Sequence, residues 1–126
     1  MQTIAERLQL AQNTIRIAAN NSQREYHCVK LLAVSKMKPV SDIVDAYKAG
    51  QRSFGENYVQ EGIEKIQYLS EYHDIEWHMI GPIQSNKTKL VAEHFDWVQS
   101  VDREKIATRL NNQRPDRLAP LNVCIQ

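Results

Sequence analysis

The sequence predicts an α/β protein built on a parallel sheet. Short apolar segments that suit buried strands recur about every 22 residues, and amphipathic helical segments separate them. The apolar segments begin near residues 31, 53, 76, 97 and 121. The first is apolar at consecutive positions rather than alternate ones, which is typical of a strand covered on both faces. We therefore expect about five parallel strands with a leading helix, in a single domain spanning residues 1–126.

The leading helix is predicted over residues 4–20. Its apolar side chains are spaced alternately by four and three residues, which places them on one helical face. They are Ile4, Leu8, Ala11, Ile15 and Ala18. A polar connection over residues 20–27 then leads to the first strand, so this helix precedes the repeating pattern.

Each of the first two strands is followed by a helix. The first strand covers residues 30–35, and Ser41 is the predicted N-cap of a helix that Gly50 ends. The second strand, at residues 52–55, is weak by itself, and a helix over about residues 58–69 follows it. Both helices carry their apolar residues on one side, as expected of helices that cover a sheet.

Three further strands continue the pattern, with a helix after the third and after the fourth. They lie at residues 76–80, 96–100 and 121–126. Gly81 and Pro82 break the third strand, and Ser85 and Asp102 are the predicted caps of the helices that follow. Strand and helix therefore alternate from residue 30 to residue 126.

Two architectures fit this alternation. One is a doubly wound domain of flavodoxin type, which has five strands but normally ends on a helix, whereas this chain ends on a strand. The other is the N-terminal part of a (β/α)₈ barrel of the TIM type, which needs about 250 residues. The pattern alone leaves both architectures open.

Composition excludes several functional classes. With 16 basic and 15 acidic residues the net charge is +1, without the basic excess usual in duplex-binding domains, so no nucleic-acid partner is expected. The longest apolar run has four residues, and no signal peptide is recognisable, which predicts a cytoplasmic protein without membrane contact. Cys28 and Cys124 stand far apart, so we expect neither a disulfide framework nor a metal site.

Lys36 is the first candidate functional residue. It follows the apolar first strand, and ligands of parallel α/β folds bind at the carboxyl ends of the strands. A lysine amine in such a place can attack an aldehyde and form a Schiff base. The alternative is a solvated surface charge, which is the commoner role of a lysine at a strand end.

Polar residues also lie at the second and third strands. Glu56 and Asn57 follow the second strand and can point into the same mouth as Lys36, although Asn57 also suits a helix cap. His78 lies within the third strand, where a structural histidine is the alternative to a functional one. The sequence contains no dinucleotide, P-loop, zincin or serine-hydrolase motif.

Together these segments resemble the pyridoxal phosphate homeostasis protein family, which is similar to the N-terminal barrel domain of alanine racemase. The matching segments are residues 31–36, 54–60, 76–82, 84–87 and 91–97. The resemblance implies a fold-type III barrel that binds pyridoxal 5′-phosphate (PLP), of which this chain is an incomplete N-terminal portion. Lys36 matches the Schiff-base lysine of the family. Asn57 falls where the family has a polar residue beside the cofactor, and His78 belongs to the third-strand motif near the pocket.

The resemblance implies a PLP-binding protein of intracellular PLP (vitamin B6) homeostasis that holds the cofactor on Lys36 without catalytic turnover. One alternative is a fold-type III PLP enzyme such as an amino-acid racemase, but no second acid or base is recognisable. Another is a fragment that binds no ligand and interacts through its open sheet edges. Open edges would also allow self-association.

Overall fold

Five parallel strands form one sheet, in sequential order, in the computed structural model, which describes all residues from 1 to 126. They are β1 (Ala33–Val34), β2 (Ser53–Glu56), β3 (Glu76–Met79), β4 (Trp97–Val101) and β5 (Asn122–Ile125). A doubly wound sheet reverses its strand order at a switch point, whereas the strands of a (β/α)₈ barrel follow chain order. The strand order therefore favours the barrel over the doubly wound fold.

Five α-helices accompany the sheet, and four of them connect consecutive strands. They are α1 (Ile4–Asn21), α2 (Val40–Lys48), α3 (Val59–Tyr68), α4 (Thr88–His94) and α5 (Glu104–Gln113), with 3₁₀ turns at Tyr26–Cys28 and Ser85–Lys87. The predicted leading helix and the alternation of strand and helix are confirmed. None of these helices combines the length and the apolar character that crossing a bilayer requires.

The helix starts differ from the predicted caps, whereas one predicted helix end is confirmed. Ser41 lies inside α2, because Pro39, whose ring presets φ, occupies the N-cap position. Ser85 opens the 3₁₀ turn in front of α4, and Asp102 precedes the N-cap of α5 by one residue. Gly50 ends α2 as predicted, with a φ of +104° that favours glycine.

The hydrophobic core lies between the helices and one face of the sheet. Successive strand residues point to opposite faces, and those of one parity are almost completely buried. On the sheet these are Phe54, Trp77, Met79 and Val98, and on the helices Ile43, Ile63, Val91, Ile106 and Leu110. The helices therefore cover this face, which we call the outer face.

The opposite face of the sheet, here the inner face, carries no helix from this chain. Four residues on neighbouring strands are paired in register and form one row across this face. They are Val34, Gly55, His78 and Trp97. Val34 is 52% exposed, whereas the outer-face residues Phe54 and Met79 are at most 1% exposed. In a barrel this face lines the interior.

Candidate functional site

Lys36 lies immediately beyond β1, at the carboxyl edge of the sheet. Pairing with β2 continues for one residue past the strand, because the N–H of Ser35 donates to the carbonyl of Gly55 at 2.9 Å. Met37 then turns the chain with a φ of +62°, in the left-handed region that residues with a Cβ seldom adopt. Lys36 itself is exposed and forms no ion pair, so its amine is free to meet a ligand.

Asn57 occupies the corresponding position after β2. It is half-buried, and its side-chain Oδ1 is buried without any hydrogen-bond partner. A Cβ on Gly81 would stand 2.3 Å from the carbonyl oxygen of Asn57, so only glycine lets the chain after β3 pass here. A buried unpaired acceptor costs about 1 to 3 kcal/mol, which points to a donor that the chain itself does not supply.

His78 lies on the inner face with both ring nitrogens engaged. Its Nε2 is 2.7 Å from Oε1 of Glu76, and Nε2 of Gln99 donates to its Nδ1 at 3.0 Å. The proton therefore resides on Nε2, which donates it to the carboxylate. The imidazole also stacks on Trp97, with ring centroids 5.4 Å apart and planes 5° from parallel. These contacts fix the orientation of the ring.

Glu76 connects His78 to the lower, amino-terminal edge of the sheet. Its Oε1 accepts from Nζ of Lys30 at 2.6 Å and from Oγ of Ser53 at 3.3 Å. Burial favours a higher pKa for Glu76, but the hydrogen bonds from Lys30 and His78 outweigh it and hold the pKa below its ordinary value. We call Lys30, Glu76, His78 and Gln99 the polar floor of the inner face.

Of the three predicted site residues, Lys36 and Asn57 lie at the same height along the strand direction. His78 lies nearer the amino-terminal edge of the sheet. Lys36 and Asn57 each stand two residues beyond a member of the row that contains His78. Two residues correspond to about 6.6 Å along a strand. The structure therefore brings Lys36 and Asn57 to the same edge and places His78 in the floor beneath them.

Glu56 does not point into the mouth beside Lys36, as the sequence led us to expect. It has the parity of the core residue Phe54, so its side chain lies on the outer face, where it is completely buried. Side chains two residues apart on a strand lie on the same face, so the apolar Phe54 would have predicted the face of Glu56.

A buried polar cluster behind Lys36, which sequence reasoning missed, surrounds Glu56. It comprises Ser35, Glu56, Glu61 and Lys65. Nζ of Lys65 lies 2.9 Å from Oε2 of Glu56 and 2.8 Å from Oε2 of Glu61, and Oγ of Ser35 donates to Glu56. Burial favours a higher pKa for Glu61, but Lys65 and the N–H of Met37 outweigh it and lower the pKa.

Sequence comparison finds curated relatives that carry the name pyridoxal phosphate homeostasis protein. No family model matches the chain. A pyridoxal phosphate homeostasis protein of Pasteurella multocida is 62% identical over 125 residues, covering 98% of this chain and 54% of the relative. One of Escherichia coli K12 is 56% identical over 128 residues, covering 100% of this chain and 55% of the relative. The chain thus spans about half the length of the curated relatives it matches.

Comparison with solved structures also finds proteins of similar fold. PipY of Synechococcus elongatus, solved with PLP bound, superposes with a TM-score of 0.71 at 45% identity, covering 88% of this chain and 48% of PipY. An unknown protein from Bifidobacterium adolescentis superposes with a TM-score of 0.86 at 28% identity, covering 95% of this chain and 53% of its own. Sequence and fold together place the chain in the pyridoxal phosphate homeostasis protein family, as a portion about half as long as its relatives.

Proposed function

We propose that the chain binds pyridoxal 5′-phosphate at the carboxyl edge of its sheet, with Lys36 as the point of covalent attachment. The proposal rests on one observation. Lys36, which forms no ion pair, and the side-chain oxygen of Asn57, which is buried without a hydrogen-bond partner, lie at the ends of adjacent strands. The 45% identity to PipY, which was solved with PLP bound, supports the same ligand.

Lys36 would hold the cofactor through a Schiff base. The neutral Nζ attacks the aldehyde carbon, a C=N bond forms, and the aldehyde oxygen leaves as water without any change of oxidation state. When bound, the cofactor supplies an electrophilic carbon and an electron sink, whereas the protein supplies position and electrostatics. Asn57 would accept a hydrogen bond from the cofactor, and His78 would contribute from below as part of the polar floor.

Residues 1–126 would act as one domain, an incomplete PLP-binding barrel. A single sheet and one continuous core of 16 buried residues support one folding unit. Phosphate sites of barrels commonly lie after the last strands, beyond the five strands present in this chain. We therefore propose that this chain contributes the lysine and the polar floor of the site, without the usual phosphate donors.

The physiological role we propose is maintenance of the intracellular PLP (vitamin B6) supply rather than catalysis of a reaction. A racemase needs a second acid or base opposite the lysine, and both ring nitrogens of His78 are already bonded within the chain. Cys28 and Cys124 are exposed and unpaired, as expected in a reducing compartment, which supports action in the cytoplasm.

Titration with PLP, followed by absorbance, tests this proposal. The chain should develop a saturable Schiff-base band that Lys36→Ala abolishes. Lys38→Ala is the matched control, since Lys38 is an exposed lysine two residues away, and this variant should keep the band. A band of equal strength in Lys36→Ala would contradict the assignment of Lys36.

Self-association is a second property that a specific observation favours. β5 pairs only with β4, so its other edge presents unpaired backbone groups. Val123 and Ile125 on this strand are 48% and 88% exposed. We propose that this edge pairs with a second copy of the chain.

A further inference from the structure

The turn that carries Lys36 is held from behind by buried charges. We propose that three residues, Lys65, Glu56 and Glu61, are positioning residues. They fix the direction of Lys36 without touching the cofactor. This inference rests on the proposed function, since it concerns how Lys36 is presented to PLP.

The backbone on both sides of Lys36 is bound to this cluster. Nζ of Lys65 donates to the carbonyl oxygen of Ser35 at 2.7 Å, and the N–H of Met37 donates to Oε2 of Glu61 at 2.7 Å. The residue before Lys36 and the residue after it are therefore both held by side chains of α3. The second of these bonds also secures Met37 in its left-handed conformation.

The location of the cluster shows that its effect on Lys36 is indirect. Glu56 lies on the outer face, under α3, and its side chain is completely buried, while the side chain of Lys65 is 7% exposed. The inner face, where Gly55 and His78 lie, is on the other side of the sheet. The cluster thus reaches the site only through the backbone of residues 35–37.

A buried ion pair is a costly way to fill space. Removing two charges from water offsets much of their attraction, and an apolar pair of similar volume often stabilises a fold equally well. An apolar pair could not donate to the carbonyl of Ser35, and an apolar residue in place of Glu61 could not accept from Met37. What the charges add here is therefore directional bonding to the turn.

The experiment measures where PLP attaches after reduction with borohydride, by peptide mapping of the lysines. Lys65→Met removes the ammonium group but leaves Glu56 buried and unpaired, so it also destabilises the fold. Lys65→Met combined with Glu56→Gln removes both charges and should fold. Glu61→Gln is a further variant that alters only a partly exposed carboxylate. Lys48→Met, an exposed lysine at the end of α2, is the control.

The expected result is a loss of selectivity. The ratio of label on Lys36 to label on Lys38 should fall about tenfold in the double variant and less in Glu61→Gln, because a small misplacement of a reacting group is costly. Lys48→Met should keep the ratio of the unmodified chain. A merely structural role would lower thermal stability without changing the ratio.

The outcomes separate this inference from the proposed function. An unchanged ratio in both the folded double variant and Glu61→Gln overturns the inference and leaves the proposed function intact. Absence of preferential labelling of Lys36 in the unmodified chain overturns the proposed function, and this inference with it.

Discussion

Lys65 of α3 donates from its buried ammonium group to the carbonyl oxygen of Ser35, at 2.7 Å and across 30 positions of the chain. This bond joins the helix after the second strand to the turn after the first strand. It is a tertiary contact between neighbouring βα units, made at the edge where ligands of parallel sheets bind. The candidate site is therefore stabilised by its neighbouring unit as well as by its own strand.

The first prediction concerns acid stability. The pKa values of Glu61 and Glu76 are held below the ordinary 4.5, so the unfolded state binds more protons than the folded state does. Their contribution to stability is therefore present above pH 4.5 and is lost as the pH falls through their folded pKa values. Urea unfolding at a series of pH values should show that the free energy of unfolding falls less on acidification in Glu61→Gln than in the unmodified chain. Glu71→Gln, an exposed control, should behave like the unmodified chain, and an equal loss in Glu61→Gln would contradict the assignment.

A second prediction concerns Asn57. Its Oδ1 has no partner within the chain, so Asn57→Ala should cost little folding stability. A hydrogen bond to the cofactor contributes about 0.5 to 1.5 kcal/mol, so PLP binding should weaken about two- to tenfold. Thermal unfolding and a PLP titration measure the two effects separately. Asn112→Ala on the exposed side of α5 serves as the control. Large destabilisation with unchanged binding would show that Asn57 is structural.

A third prediction separates the polar floor from the attachment point. His78→Ala removes a stacked ring and leaves Glu76 and Gln99 without their partner, which should destabilise the fold by about 1 to 3 kcal/mol. His78→Phe retains an aromatic ring for Trp97 but loses both hydrogen bonds. Denaturant unfolding compares these variants. If neither variant changed stability while both abolished PLP binding, His78 would contact the cofactor directly.

Sequence reasoning located the elements well because their signals are local. Apolar periodicity fixed α1 and the strand segments, and the position of Lys36 after the first strand followed from them. Strand order is not encoded in any local pattern, so apolar periodicity alone left two architectures open. The family resemblance implied the barrel, and the sequential strand order agrees with it. The meeting of Lys36 and Asn57 at one edge was predicted from their positions after consecutive strands, whereas the burial of Glu56 on the other face was not.

Lys65 shows why the remainder of the site was missed. A lysine in the middle of an amphipathic helix is ordinarily solvated, and its spacing from Glu61 suggests only a surface pair. Burial of Lys65 follows from the position of Glu56 under α3. Strand parity gives the face of Glu56 but does not identify its partner.

A fourth prediction concerns the free edge of β5. Multi-angle light scattering should show a mass that rises with concentration, because unpaired backbone groups and the exposed side chains of Val123 and Ile125 favour strand pairing between copies. Val123→Lys with Ile125→Lys should shift the chain toward the monomer. A monomer at every concentration for the unmodified chain would refute self-association through this edge.

A fifth prediction concerns affinity. Two charge-assisted hydrogen bonds to phosphate contribute about 1.5 to 3 kcal/mol each, so a site without the phosphate donors should bind PLP about two to four orders of magnitude more weakly than a longer relative. Parallel titrations of this chain and the Escherichia coli relative measure the difference. Equal affinities would mean that the site is complete within these 126 residues.

Peptide mapping after borohydride reduction shows directly whether Lys36 is the residue to which PLP attaches. The chain is incubated with PLP, reduced, digested and examined by mass spectrometry for the modified lysine. Lys36 should carry most of the label, well above exposed lysines such as Lys38 and Lys48. Label distributed evenly over the exposed lysines would contradict it.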